Sequence, residues 1–356
     1  MVARDIPPAL RAPLLVLGFL CLIVGVGAGL LRLGWPVPRP MADLAALHGP
    51  LMICGFFGTV ISLERAVALA RGWAYLCPLA AGSGGLALIL GAPLPLAQGL
   101  LALGSTVLFA GSVSVFMRQS ALFTFTLAAG VASWLAGNLL WLGGFSVFAV
   151  VPWWAGFLVL TIAGERLELS RFLPPSPAAR RAFIAVLWGL TFGMALEARL
   201  FGAALVALAL WLLRQDIARR TVREKGLTRF IAVCLLSGYA WLFISGAIML
   251  GAGLVPGSAA YDAALHALML GFVFAMVFGH APVIFPAVLH VAVPYHPLFY
   301  APLALLHLSL MARLAGNLAG MADWRSAGGL LNAAALAFFI LNTVAAVIRG
   351  RIGKSS

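Results

Sequence analysis

The chain has 356 residues, 63% hydrophobic and only 9% charged, where a soluble domain carries about 25% charged residues. So little charge cannot cover a water-facing surface, which excludes a soluble globular protein and makes lipid the solvent. Lysine and arginine outnumber aspartate and glutamate by 23 to 10, a net charge of +13; with no aromatic-plus-basic loop domain to bind nucleic acid, this charge reports loop orientation and anionic headgroups instead.

In lipid every backbone N–H and C=O must be satisfied internally, so only helices or a closed barrel are admissible. The apolar runs are about 20 residues long rather than the roughly 10-residue alternating segments of a barrel. The expectation is therefore an all-α polytopic membrane helix bundle, a single transmembrane domain over 1–356, with spans at roughly 12–34, 43–70, 75–93, 97–117, 120–143, 148–170, 181–197, 199–213, 228–253, 260–287, 298–320 and 327–349. A continuous helix over 181–213 would be about 50 Å long, too long for a hydrocarbon core about 30 Å thick, so it is split at Glu197–Arg199. The first run is long enough to span and has no clear cleavage site, which argues against a cleavable signal peptide.

Loop charge orients this layout. With the N-terminus in the cytoplasm, the cytoplasmic segments hold Arg4, Arg11, Arg65, Arg71, Arg118, Arg171, Arg180 and Arg181. The same side holds Arg214, Arg219, Arg220, Arg223, Lys225 and Arg229, and the tail adds Arg349, Arg351 and Lys354. The opposite loops hold only Arg32, Arg39, Arg199 and Arg325. Positive charge gathers on the cytoplasmic side, so both termini are expected there and the protein in a bacterial-type inner membrane.

Ionisable residues inside a membrane are costly and point to function. Two Glu–Arg segments echo each other, Ile61-Ser62-Leu63-Glu64-Arg65 and Ile162-Ala163-Gly164-Glu165-Arg166. They read either as helix-end ion pairs that snorkel to the interface or as a polar cluster or proton path that Glu168 extends. Cys21, Cys54, Cys77 and Cys234 show no metal or disulfide spacing and read as small packing residues. His290 and His296 fall in a turn and are expected to be solvated.

His48 and His266 lie about five and six residues into spans two and ten, which run in the same direction, so the two imidazoles share a depth in the outer half of the bilayer. Such a pair could coordinate one iron from opposite faces of a porphyrin. Bis-histidine ligation fills both axial positions and suits electron transfer. On a 100° wheel Met52, Gly55, Thr59 and Ser62 share the face of His48, a small-residue face that admits either a flat macrocycle or a close helix. The same wheel groups His266, Met269, Met276 and His280 in one stripe, which reads as a soft-metal path for copper or as methionine gap-filling. His280 and His307 in the inner half are candidates for a second metal or haem, a proton path or plain interhelical hydrogen bonds. Arg313, at the depth of His48 and His266, is a candidate partner for haem propionates.

The segment from His266 to His280, HALMLGFVFAMVFGH, with Phe285-Pro286 after it, resembles the tenth helix of subunit I of haem–copper oxidases. Leu47-His48-Gly49-Pro50-Leu51-Met52, with Gly55-Phe56-Phe57, is similar to the second helix of that subunit. The twelve-span layout also resembles the NnrS family, haem- and copper-containing bacterial membrane proteins linked to nitric oxide stress. The resemblance implies that His48 and His266 ligate a low-spin haem b. Two departures stand against an oxidase: the high-spin ligand position is Ala264, and spans six and seven contain no histidine. The expected function is therefore a haem-binding membrane protein in electron transfer or in nitric oxide or metal stress, without the oxygen-reducing copper site. A copper or small-solute transporter and a quinol-linked oxidoreductase are the alternatives. Whether the protein is an enzyme, and which residues would be catalytic, the sequence leaves open. The expected partners are membrane lipid and a quinol or an electron-transfer protein.

Overall fold

The computed structural model describes residues 5–38, 41–169 and 175–355. Arg4, Arg39 and Arg171, and the side chain of Lys354, lie outside the described residues. The chain is a polytopic membrane helix bundle, with no strand among the described residues. Among the described residues twelve helices are long and apolar enough to cross a membrane. They are α1 (Pro8–Leu31), α2 (Leu44–Leu69), α3 (Gly72–Ile89), α4 (Leu94–Arg118), α5 (Leu122–Leu142) and α6 (Val147–Leu169). The second six are α7 (Pro177–Leu196), α8 (Ala198–Gln215), α9 (Gly226–Ala252), α10 (Ala259–Leu289), α11 (Pro297–Leu318) and α12 (Ala322–Arg351).

These match the expected spans one for one and differ at their ends, where polar chemistry rather than hydropathy decides. α7 starts four residues early because the Ser176 hydroxyl accepts from the Ala179 N–H at 3.2 Å and Pro177 occupies the first helical turn; its early arginines hide that turn from a hydropathy count. α12 likewise begins with the polar turn Asp323-Trp324-Arg325. The split near Glu197 is real. Glu197 is a single extended residue whose carboxylate accepts from the Arg199 N–H at 3.0 Å and so caps α8. The hairpin closes tightly because Gly193 faces Phe201, whose Cα would lie 2.5 Å from any Cβ there.

The chain folds into two compact units, Met1–Glu165 with Ala287–His290, and Arg166–Pro286 with Val291–Ser356. In the first unit, Asn138 of α5 joins four helices. Its Oδ1 accepts from Trp154 Nε1 at 3.0 Å and from Cys54 Sγ at 3.4 Å; its Nδ2 donates to the Leu101 carbonyl and to Ser105 Oγ, each at 3.1 Å. One amide thus uses its whole bonding capacity in a place where water cannot substitute. All four cysteines are free and buried, as small packing residues should be.

The Glu–Arg echo does not make two like pairs. Arg65 pairs with Glu165 in the first unit. Arg166 does not snorkel: in the second unit it is buried and grips Asp216 with two bonds, Nε to Oδ2 at 2.7 Å and Nη2 to Oδ1 at 3.0 Å. Tyr239 Oη donates to Asp216 Oδ2 at 2.7 Å, and the Ala218 N–H donates to Oδ1 at 2.7 Å. Both charges are out of water (side chains 5% and 0% exposed), so each depends on the other. Asp216→Ala leaves a buried guanidinium without its counter-charge and is expected to cost about 3–5 kcal/mol, read as a lowered midpoint in thermal unfolding of the purified protein in detergent.

Candidate functional site

His48 stands where α2 changes its winding. A 3-10 turn (Met41–Leu47) leads into a helical turn at His48–Pro50, then a π-helical turn (Leu51–Phe57), and only then an α-helix (Gly58–Leu69). The imidazole lies on α1. Its Nδ1 is 2.7 Å from the Gly25 carbonyl oxygen, and a Cβ on Gly29 would come within 2.8 Å of Cε1. The absent side chain of Gly29 leaves the notch for the ring, and the Gly25 carbonyl one helical turn earlier anchors it. A carbonyl only accepts, so Nδ1 carries the proton and Nε2 keeps the lone pair that can bind a metal.

His266 occupies the corresponding place in the second unit. Ser258 caps α10 by accepting from the Tyr261 N–H at 3.1 Å. One α-helical segment (Ala259–His266) follows, then a π-helical turn (Ala267–Phe274), then α-helix again (Ala275–Leu289). His266 Nδ1 is 2.8 Å from the Asp262 carbonyl oxygen and 3.1 Å from its Oδ1. Both atoms accept, so this ring too has its proton on Nδ1 and its lone pair on Nε2. Asp262 is held in turn by Arg313, with Nη2 3.0 Å from Oδ1, and by Arg325, with Nε 3.7 Å from Oδ2. Arg313 Nη2 also lies 3.4 Å from His266 Nδ1. α12 comes close enough to place Arg313 because Gly328 has no side chain: a Cβ there would be 2.7 Å from Arg313 Cα.

The π turns overturn the wheel arithmetic. A 100° wheel assumes α-helical winding, and a π turn takes more residues per turn, so residues on its two sides lose their common face. Gly55 is not on a surface open to a macrocycle: a Cβ there would lie 2.9 Å from Cys21 and 3.6 Å from Gly85 Cα, so its smallness serves helix packing. Met52 turns its sulfur to Gly25 of α1. The His266–Met269–Met276–His280 stripe is broken by Ala267–Phe274, and Met276 fills the space over Gly238 of α9.

Among the described residues no group of three or more His, Cys, Asp or Glu could hold an ion. His307 is held in the second unit by two side chains of α9. Trp241 Nε1 donates to its Nδ1 at 3.0 Å, and its Nε2 lies 3.0 Å from Ser237 Oγ. Its Nδ1 lone pair is thus spent on the indole, and the ring joins α11 to α9 by hydrogen bonds. His280 Nδ1 lies 2.7 Å from the Met276 carbonyl. His290 and His296 are exposed in the turn after α10, and His296 Nδ1 accepts from the Leu298 N–H at 3.1 Å.

Sequence reasoning missed Asp262, the role of Arg325 and the seat that Gly25 and Gly29 give His48, one by its carbonyl and the other by its missing side chain. The signals were present. Asp262 and His266 are four apart on one helical face, and Gly25 and Gly29 have the small-xxx-small spacing of close-packed membrane helices. Ala45-Ala46-Leu47-His48 is also repeated as Ala263-Ala264-Leu265-His266, each followed by a π turn.

A family model described as a domain of unknown function (DUF8744) matches residues 11–348. No curated protein matches the chain.

The notch on α1 is tested by filling it. Gly29→Val drives two methyl groups into the imidazole of His48 and is expected to cost about 1–3 kcal/mol by overpacking. Gly99→Ala, which meets nothing within 4 Å, leaves the midpoint of thermal unfolding in place.

Proposed function

The chain belongs to the DUF8744 family, and we propose that it is a haem b-binding integral membrane protein with His48 and His266 as axial ligands. The observation that carries this reading is that two imidazoles, each ending an Ala-Ala-Leu-His segment ahead of a π turn, share one state, which His280 adopts without that setting. Each directs Nδ1–H at a backbone carbonyl, of Gly25 or of Asp262, and so keeps Nε2 as the donor atom. Metal-binding histidines are oriented in this way, by an acceptor on the nitrogen that does not bind. Both also sit one or a few residues before a π turn, a distortion frequent at functional sites.

Two nitrogen ligands suit a low-spin haem, which supplies one-electron redox chemistry when bound. The chain's own share is to hold both rings in one tautomer and to set the charge beside His266. Arg313 and Arg325 outweigh Asp262 by one positive charge there, which favours an anionic group such as a propionate and makes Arg313 its proposed partner. The proposed role is electron transfer, or a response to nitric oxide or metal stress as in the NnrS family, with a quinol or an electron-transfer protein as partner. Oxygen reduction is not proposed, since α6 and α7 contain no histidine to ligate copper. The loop charges support a bacterial-type inner membrane with both termini in the cytoplasm.

The dithionite-reduced minus oxidised spectrum of the purified protein, with metal analysis, is expected to show iron and the sharp bands of a low-spin haem b. His48→Ala and His266→Ala are each expected to abolish them. A wild-type protein without a Soret band, or low-spin bands that survive in both variants, sinks the proposal. Orientation is read separately: green fluorescent protein fused after Ser356 fluoresces if that end is cytoplasmic, and stays dark if it is not.

A further inference from the structure

His48 and His266 share a tautomer, but their surroundings differ in charge. The Nδ1–H of His48 points at a neutral carbonyl of α1. That of His266 meets the Asp262 carbonyl at 2.8 Å and also the Asp262 carboxylate at 3.1 Å. A carboxylate draws on the N–H proton more strongly than an amide carbonyl does, so the opposite nitrogen, Nε2, becomes a better electron donor. The contact depends on α-helical winding between residues four apart, and the π turn begins just after the pair, at Ala267.

The strength of this carboxylate is set by two cations on other helices. Arg313 of α11 bonds to Oδ1 and Arg325 of α12 faces Oδ2 at 3.7 Å. Asp262 and Arg313 are largely screened from solvent, with side chains 18% and 9% exposed, so these charges act through a medium far less polar than water.

We propose that Asp262 is a positioning residue. It fixes the ring and tautomer of His266 and raises the donor strength of Nε2 toward the haem iron, and Arg313 and Arg325 moderate that effect. This rests on the haem reading given above. A stronger donor stabilises ferric over ferrous iron, so Asp262 lowers the midpoint potential and the two arginines raise it.

The test is a spectroelectrochemical titration of the purified full-length protein in detergent, together with haem affinity. Asp262→Asn is expected to move the midpoint to more positive values and to weaken haem binding about ten- to a hundred-fold. Asp262→Glu recovers both. Arg325→Gln moves the midpoint the opposite way, to more negative values, which a merely loosened fold would not do. An unchanged midpoint in Asp262→Asn, or shifts of the same sign in Asp262→Asn and Arg325→Gln, overturns the inference alone. If Asp262→Asn fails to fold, an unmoved midpoint in Arg325→Gln overturns it. A wild-type protein without haem overturns the ligand reading, and this inference with it.

Discussion

A polar group in hydrocarbon that finds no partner costs several kcal/mol, and water is not there to supply one. Most of the arrangement follows from that constraint. It makes the chain helical, and it collects the few buried polar side chains into closed groups: the Asn138 amide with four partners, and Asp216 shared by Arg166, Tyr239 and the Ala218 N–H. It also governs the histidines. An imidazole within a membrane must direct its N–H somewhere, and the acceptor it finds decides which nitrogen is left to bind a metal. For His48 the acceptor is a neighbouring helix and for His266 it is the preceding turn of its own.

Much of the fold is legible in the residues alone. Twelve apolar runs of spanning length have few alternatives in lipid, and Glu197–Arg199 is too polar to lie within a helix crossing the membrane. What hydropathy could not locate were helix ends built of polar residues. The capped turn at Ser176 and the polar turn at Asp323-Trp324-Arg325 lengthen α7 and α12 without adding any apolar run. Arg166 misled for a related reason. An arginine near the end of a span normally reaches for the interface, but a carboxylate far along the chain, Asp216, takes it inward, and no local pattern announces such a partner.

The site is half legible. His48 and His266 stand out by residue type and shared depth. Their neighbours were assigned on a wheel that presumes uniform winding, and the winding changes just after each histidine. Gly55, Met52 and Met276 are accordingly turned toward α1 and α9 and serve packing. Asp262 escaped notice because a lone acidic residue near the start of a span passes for interfacial solvation; its meaning appears only when α11 and α12 bring Arg313 and Arg325 to it.

The π turns at Leu51–Phe57 and Ala267–Phe274 have a consequence for how such a chain can vary. A π turn is an α-helix with a residue to spare. It works as a phase adjuster, uncoupling the azimuth of everything after it from everything before. The histidine end of α2 can therefore be seated against α1 while the Gly58–Leu69 end keeps its own angle, and α10 has the same freedom on either side of Phe274. Losing one residue within either turn would remove the spare residue and restore regular winding, which leaves the azimuth of the two ends nearly as it was. A deletion within Leu51–Phe57 would thus spare the two ends of α2 and fall on the contacts of the turn itself, Cys54 with Asn138 and Met52 with Gly25.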